Sequence, residues 1–360
     1  MSRARTFADL ATASEEGSLA NRNYFYNGDM QIYQRGSTAV ASDSIARTLD
    51  RWRMYNYSDG AVTVTQDTNA PSATAFTKSL KIDVTTADSS IGADEVAFIQ
   101  QRFEGQDLQN FLKGTSSAKK GTLQFWVSSP KTGTHIVEWY DTDNSRQISK
   151  TYTISSANTW EFKTITFDAD TTGTWNNDNL QSLEITWWLC AGTNFTSGTL
   201  NTTWGSVTAA NRAVGQVNVF DNTSNNFYLT GVQLELGEVA TPFKHETYID
   251  SLARCQRYFQ ISGDARTYGI VANQHTTTAC YSNLRWWQLM RAAPTVTIGA
   301  TSAYNVYNAT ENVTISDIGA SQITANSCEL YATTSSRTAG TATHINTNGD
   351  TTFWKAESEL

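Results

Sequence analysis

Two pairs of aspartates stand close enough in the sequence to do acid–base work: Asp141 with Asp143, and Asp168 with Asp170. Glycoside cleavage is the chemistry such pairs suggest, one carboxyl giving a proton while the other attacks or activates water. That chemistry needs carboxyls converging across a cleft, roughly 5–9.5 Å apart. Aspartates spaced i, i+2 beside Asn and Gly more often hold loop amides, so both pairs read as turn residues. Asp141-x-Asp143-Asn144 has the start of a calcium loop but lacks its central Gly and distal bidentate Glu. His135, His245, His275 and His344 stand apart from any nucleophile motif, and neither G-x-S-x-G nor H-E-x-x-H occurs. The expectation is a chain with no catalytic residue, metal site or cofactor.

Binding by aromatics fits the residues better. Trp187 and Trp188 are adjacent in a strand-like run, so their side chains must point to opposite faces. One is expected in the core and the other facing solvent, a ligand or a neighbouring subunit. Trp175 and Trp204 lie in or near turns of the same region, with Trp160 close by. A flat indole beside Asn and Asp can stack on the apolar face of a sugar ring. Trp187, Trp188, Trp175 and Trp204 are therefore the candidate glycan-binding residues, against the plainer reading of core or subunit packing. Trp286 and Trp287 carry the same ambiguity.

The elements that must position these residues are strands. Residues 227–237 place Tyr228, Val232, Leu234 and Leu236 on one parity and Gln233 and Glu235 on the other, with Thr230 the polar break. Residues 23–36 have a similar texture: an Asn-Gly turn, then Met30, Ile32 and Gln34 opposing Gln31, Tyr33 and Arg35. These two stretches read as the first and last strands of one domain. Between them, short alternating runs recur with turn chemistry between; 134–140 and 146–154 flank the turn 141–145. In 50–57, Trp52 and Met54 oppose Arg51, Arg53, Tyr55 and Tyr57. The run 216–220 also reads as a strand, and 106–112 as the best short helix. The fold class is mainly β, a jelly-roll or β-sandwich main domain over 23–245. A connector helix is expected over 246–262, with Ile249, Leu252, Cys255 and Phe259 as its stripe and Thr247 or Asp250 as its cap. A smaller C-terminal β domain follows over 263–360, with strands at 267–272, 276–281, 295–298, 312–315 and 323–331. In the segment 1–22, Phe7, Leu10 and Ala11 fall at helical spacing, a short N-terminal helix that needs a surface to pack on.

Composition supports sheet over helix. Charged residues are only 17% of 360, while there are 11 Trp, 15 Tyr and 15 Phe. The formal net charge of -8, with no basic stripe, argues against a nucleic-acid partner. No apolar run approaches the ~18 residues of a membrane span, and the start of the chain lacks the pattern of a secretory leader. Cys190, Cys255, Cys280 and Cys328 form no C-x-x-C, which fits buried thiols made in a reducing cytoplasm.

The opening N-x-x-x-N-G-x-M-x-I-x-Q-R-G at 23–36 and the closing L-T-G-V-Q-L-E-x-G-x-x-A-T-P-F at 229–243 resemble a family of virion structural proteins of tailed bacteriophages. Its members are labelled tail fibre or capsid fibre proteins, frequent in marine phages. Residues 252–259, 291–296 and the final Glu359-Leu360 match the same family, so the resemblance spans most of the chain. It implies a carbohydrate-binding-module-like jelly roll and a virion location after synthesis in the bacterial host cytoplasm. It also implies a homotrimer, docking to other virion proteins through Phe7, Leu10 and Ala11, and contact with host cell-surface polysaccharide. The motifs carry no catalytic residues. Tail fibre is the expected role, with head fibre or capsid decoration protein and glycan depolymerase as the alternatives.

Overall fold

A computed structural model describes residues 23–262, 269–308, 312–347 and 353–360. Phe7, Leu10 and Ala11, with the short helix expected around them, lie outside the described residues. Packing divides the chain into two units. One reaches to Ser251 and takes in Leu360; the other runs from Leu252 to Glu359. Both are mainly β.

The first unit is a two-sheet sandwich. Its strands are β1 (Thr38–Val40), β2 (Ser44–Arg47), β3 (Arg53–Tyr57), β4 (Ala61–Asp67), β5 (Ser79–Thr86), β6 (Val96–Glu104), β7 (Gly121–Ser128), β8 (Gly133–Asp141), β9 (Arg146–Ile154), β10 (Glu161–Phe167), β11 (Gln181–Ala191), β12 (Gly205–Ser206) and β13 (Asn226–Leu236). A six-stranded sheet has the order β1-β4-β5-β13-β7-β10 and a seven-stranded sheet the order β12-β9-β8-β11-β6-β3-β2. The chain keeps crossing between them, as a jelly roll requires. Met54, Ile99, Val137, Ile185 and Trp187 meet Val64, Ile82, Leu123, Phe125 and Leu234 in one continuous core. Each such side chain contributes roughly 1.5–3 kcal/mol by leaving water.

The closing motif is a strand, as its alternation predicts, and lies inside the six-stranded sheet, but its parity flips. Phe227 and Leu229 point into the core before Gly231, and Val232, Leu234 and Leu236 after it. The cause is a register shift between Thr230 and Gln233 opposite β7, with Gly231 at φ 61°. Thr230 is thus not a break in the buried face. It lies on the outer face, where its hydroxyl donates to the Lys78 carbonyl at 2.8 Å.

The opening motif is not a strand. Residues 23–36 turn at Asn27 (φ 52°) and Met30 (φ 61°), conformations a strand cannot hold. The segment lies beside β13 instead, its Tyr24 N–H donating to the Leu234 carbonyl at 3.1 Å, with Met30 and Ile32 wholly buried. The Asn23 side chain donates to the Val232 carbonyl at 3.1 Å and accepts from the Leu234 N–H at 3.1 Å. A side-chain carbon at Gly28 would overlap the Val232 carbonyl, so only glycine permits this approach. Two motifs more than 200 residues apart are therefore one hydrogen-bonded unit. Two smaller differences follow the same lines. Residues 216–220 form no strand; Val219–Asp221 is a 3-10 turn capped by Asn218. Gly105–Phe111 is also 3-10.

The helix α1 spans Tyr248–Gln256, with the Thr247 hydroxyl accepting from the Asp250 N–H at 3.3 Å. Its expected stripe is shorter than its spacing suggests. Ile249 is 73% exposed, and Phe259 belongs to the next strand. The second unit then has β14 (Phe259–Ile261), β15 (Ile270–Gln274), β16 (Ala279–Arg285), β17 (Thr295–Ile298), β18 (Tyr304–Tyr307), β19 (Asn312–Ser321), β20 (Ser327–Thr334), β21 (Ala342–Thr347) and β22 (Trp354–Glu357). β15-β16-β20-β19-β18-β21 close into a barrel, and β14-β22-β17 form a small sheet. Cys280, Val306, Leu330 and Ile345 fill this unit's core. Closure leaves no open edge on the barrel, which explains how a Thr- and Ser-rich stretch holds a fold. β18, β21 and β22 lack a run of apolar residues long enough to announce them.

Candidate functional site

Three of the four aspartates named above meet cations. Lys113 is buried, and its ammonium lies 2.6 Å from Asp141 and 3.1 Å from Asp170. It also donates to the carbonyls of Thr172 and Gly173 at 2.9 and 2.8 Å. Arg146 adds a two-pronged bond to Asp170, at 2.7 and 3.0 Å. Burial works to raise Asp170, but Arg146 and Lys113 hold its carboxyl below the usual range. The sequence pairs are thus rearranged: Asp141 and Asp170 share Lys113, Asp143 accepts from Asn176, and Asp168 pairs with Lys150. Among the described residues no group of three or more His, Cys, Asp or Glu is placed to hold a metal ion.

The tryptophans correct the binding expectation. Trp187 is fully buried against Phe25, Trp52 and Phe125 in the inter-sheet core. Trp188 does point the opposite way, but it too is fully buried. The excursion between β11 and β13 folds back over it, setting Phe195 on its ring and Ala213 beside it. The Trp188 N–H donates to Glu138 at 3.2 Å. Trp175 is packed edge-on to Phe111, and Trp204 donates to the Asp168 carbonyl at 2.7 Å. Both rings face the Lys113 ammonium, at 5.5 and 5.3 Å. Trp187, Trp188 and Trp175 are buried, and Trp204 is partly buried against the core. Trp287, in the second unit, is 54% exposed while Trp286 is buried.

What the seven-stranded sheet leaves partly open is the β3 side of its outer face, next to buried Phe98 and Gln100 on β6. Register places three rows there. Tyr55 lies opposite Phe98, which lies opposite Trp188; Arg53 lies opposite Gln100, which lies opposite Thr186; Arg102 lies opposite Glu184. The aromatic row is stacked. Tyr57 lies on Tyr55 at 4.6 Å and Tyr55 on Phe98 at 4.6 Å and 3°, and Phe98 then meets Trp188 at 5.2 Å. The stack is buried at Trp188 and 40% exposed at Tyr57. It therefore runs from the covered half of the face into the open half.

The polar rows beside it are paired in part. Arg212 forks onto Glu138 with two bonds of 2.8 Å. Burial would lower Arg212, and the Glu138 charge overrides it and raises it. Arg102 pairs with Glu184 at 2.7 Å. Among the described residues Arg53 has no carboxylate in contact. Its guanidinium and that of Arg102 converge on the Gln100 amide oxygen, at 2.5 and 3.2 Å, when that amide is turned to face them. Burial, then the Arg102 and Arg47 charges, push Arg53 down to about 10.

Sequence reasoning passed over these residues, although a signal existed. In 50–57 one parity carries Arg53, Tyr55 and Tyr57 against Trp52 and Met54, so the strand faces something other than plain solvent. His135 is a buried structural residue, its Nε2 bonded to the Lys131 carbonyl at 3.1 Å and its ring stacked near Tyr152.

No protein-family model matches the chain, and no curated protein matches it. Several solved structures do. The enzymatically active domain of tailspike protein 4 of bacteriophage CBA120 is similar over 59% of this chain, at 16% identity and TM-score 0.32; the match takes in 21% of that chain. A family 61 carbohydrate-binding module in complex with β-1,4-galactotriose is similar over 60% of this chain and 99% of its own, at 12% identity and TM-score 0.31. The family 11 carbohydrate-binding module of a Clostridium thermocellum cellulosomal cellulase covers 57% and 97%, at 12% identity and TM-score 0.29.

Proposed function

We propose that this chain is a non-enzymatic structural protein of a tailed-phage virion, a tail-fibre or tail-appendage component that touches host-surface glycan through its sandwich. The observation that carries the glycan contact is the Tyr57–Tyr55–Phe98 stack, emerging from a buried end to an exposed one beside a row of hydrogen-bonding side chains. A rigid aromatic platform with a few fixed polar groups is how proteins hold a sugar's apolar face and its hydroxyls together. A non-cleaving role is supported by the carboxylates of this face, since Glu138 and Glu184 each carry an arginine. The virion assignment rests on the resemblance of residues 23–36 and 229–243. The homotrimer and the docking role of residues 1–22 belong to the same proposal.

Two measurements test it. Immunogold labelling of intact virions should place the protein on the tail. Label over the head would instead favour a head fibre or decoration protein, and no label would remove the virion role. Binding to host polysaccharide should weaken roughly tenfold in Tyr57→Ala. Shortening of that polysaccharide by the purified chain would establish a depolymerase instead.

A further inference from the structure

The open end of this face has a charge left over. Two ion pairs cancel, Arg212 with Glu138 and Arg102 with Glu184. Arg53 stands between these rows and Arg47, its register partner on β2, bonded to an amide and, among the described residues, in contact with no carboxylate, although the Glu184 charge reaches it. Its Nε is buried without a hydrogen-bond partner, so part of its donor fork is desolvated and unsatisfied. Arg47 is already engaged, donating to the Leu360 carbonyl at 2.6 Å. A half-buried guanidinium beside like charges is costly unless an anion completes it. The planar fork matches a carboxylate with two parallel bonds. Arg53 lies on the same strand and the same face as Tyr55 and Tyr57, and its guanidinium sits 5.5 Å from the Tyr55 ring. The charge and the stack therefore share one face of one strand.

We infer that the ligand of this face is an acidic saccharide, a uronic-acid-type sugar whose carboxylate seats on Arg53 while the saccharide packs against Tyr57, the exposed end of the stack. This rests on the proposal that the face binds glycan and goes further by naming the sugar's chemistry. It also predicts a salt-sensitive affinity, because the contact is made at a partly open surface.

The test is titration of the full chain with polygalacturonate, alginate and hyaluronan, and with methyl-esterified polygalacturonate, xylan and dextran sulfate. The expected result is binding to at least one of the carboxylated polymers, weakened tenfold or more in Arg53→Gln and only partly kept in Arg53→Lys, which retains the charge but not the fork. Matched thermal unfolding of the two variants separates lost binding from lost fold. Binding to xylan or the methyl ester that equals the acidic polymers, and that Arg53→Gln leaves unchanged, overturns the acidic ligand while the glycan proposal stands. Dextran sulfate binding as tightly as the carboxylated polymers marks plain ion exchange and overturns it as well. Binding to none of the polymers overturns both.

Discussion

The sandwich has two outer faces, and they are covered in different ways. On the six-stranded sheet the segment after β13 lies back over Gln233 and Glu235. Its fixings are short single bonds: Thr241 donates its N–H to Glu235 at 3.0 Å, the Lys244 N–H donates to Gln233 at 2.7 Å, and the Thr122 hydroxyl donates to the Gly237 carbonyl at 2.7 Å, with an exposed Lys120–Glu238 pair at 2.8 Å. On the seven-stranded sheet the cover is the long excursion between β11 and β13, and its fixing is a buried fork of Arg212 on Glu138. The first face ends in scattered aromatics such as Phe162 on Trp126. The second ends in an ordered stack with an uncancelled arginine beside it. The lesson is that a face held down by ion pairs keeps charge in register, and where the cover stops, that order is offered to solvent.

Breaking the fork should have the largest effect. Glu138→Ala leaves Arg212 buried without its carboxylate and removes the acceptor of Trp188, so stability should fall by about 3–5 kcal/mol. Urea unfolding measures the loss, and an unchanged midpoint would put the cover's stability elsewhere. Next comes acid. Burial pushes His135 from 6.5 down to about 4. Above pH 6.5 the imidazole is neutral folded or unfolded and stability is complete. As pH falls from 6.5 to 4 the unfolded chain takes the proton first, and the folded state should lose about 3 kcal/mol. Asp170, held low, loses its contribution beneath the ordinary carboxylate range, so the two windows separate. His135→Gln should flatten the upper window in unfolding curves taken between pH 7.5 and 4; a slope equal to wild type would assign it to other groups. The smallest effect belongs to the other face. Phe162 is 47% exposed, so Phe162→Thr should shift stability by no more than about 0.5 kcal/mol and leave polysaccharide binding as it was. A loss of binding there would move the contact to the six-stranded sheet.

Much of the fold was legible in the residues. The β8–β9 hairpin and its turn, the strand β13, the opposite parity of Trp187 and Trp188, and the Thr247 cap all follow from local periodicity and turn chemistry. The site was less so. Period-2 reasoning says which face a side chain takes, and it cannot say whether another segment will cover that face. That is why Trp188 looked available and is not, while Arg53, Tyr55 and Tyr57 sat in view on one parity of a short strand. The flip at Gly231 was hidden for a related reason: one glycine in a left-handed conformation changes the parity of every residue beyond it.

By itself the sequence determined the class of this protein. Its Thr- and aromatic-rich alternation commits it to sheet, and its turn chemistry cuts that sheet into short strands. Tertiary structure alone decided which charges cancel. Asp141 and Asp170 found Lys113, and Glu138 and Glu184 found Arg212 and Arg102, through contacts between residues up to 82 positions apart in the case of Arg102 and Glu184. Such pairings depend on strand order and on where a long loop lands. Local propensity carries no information on either, because a buried charge is neutralised by whatever the fold brings within reach.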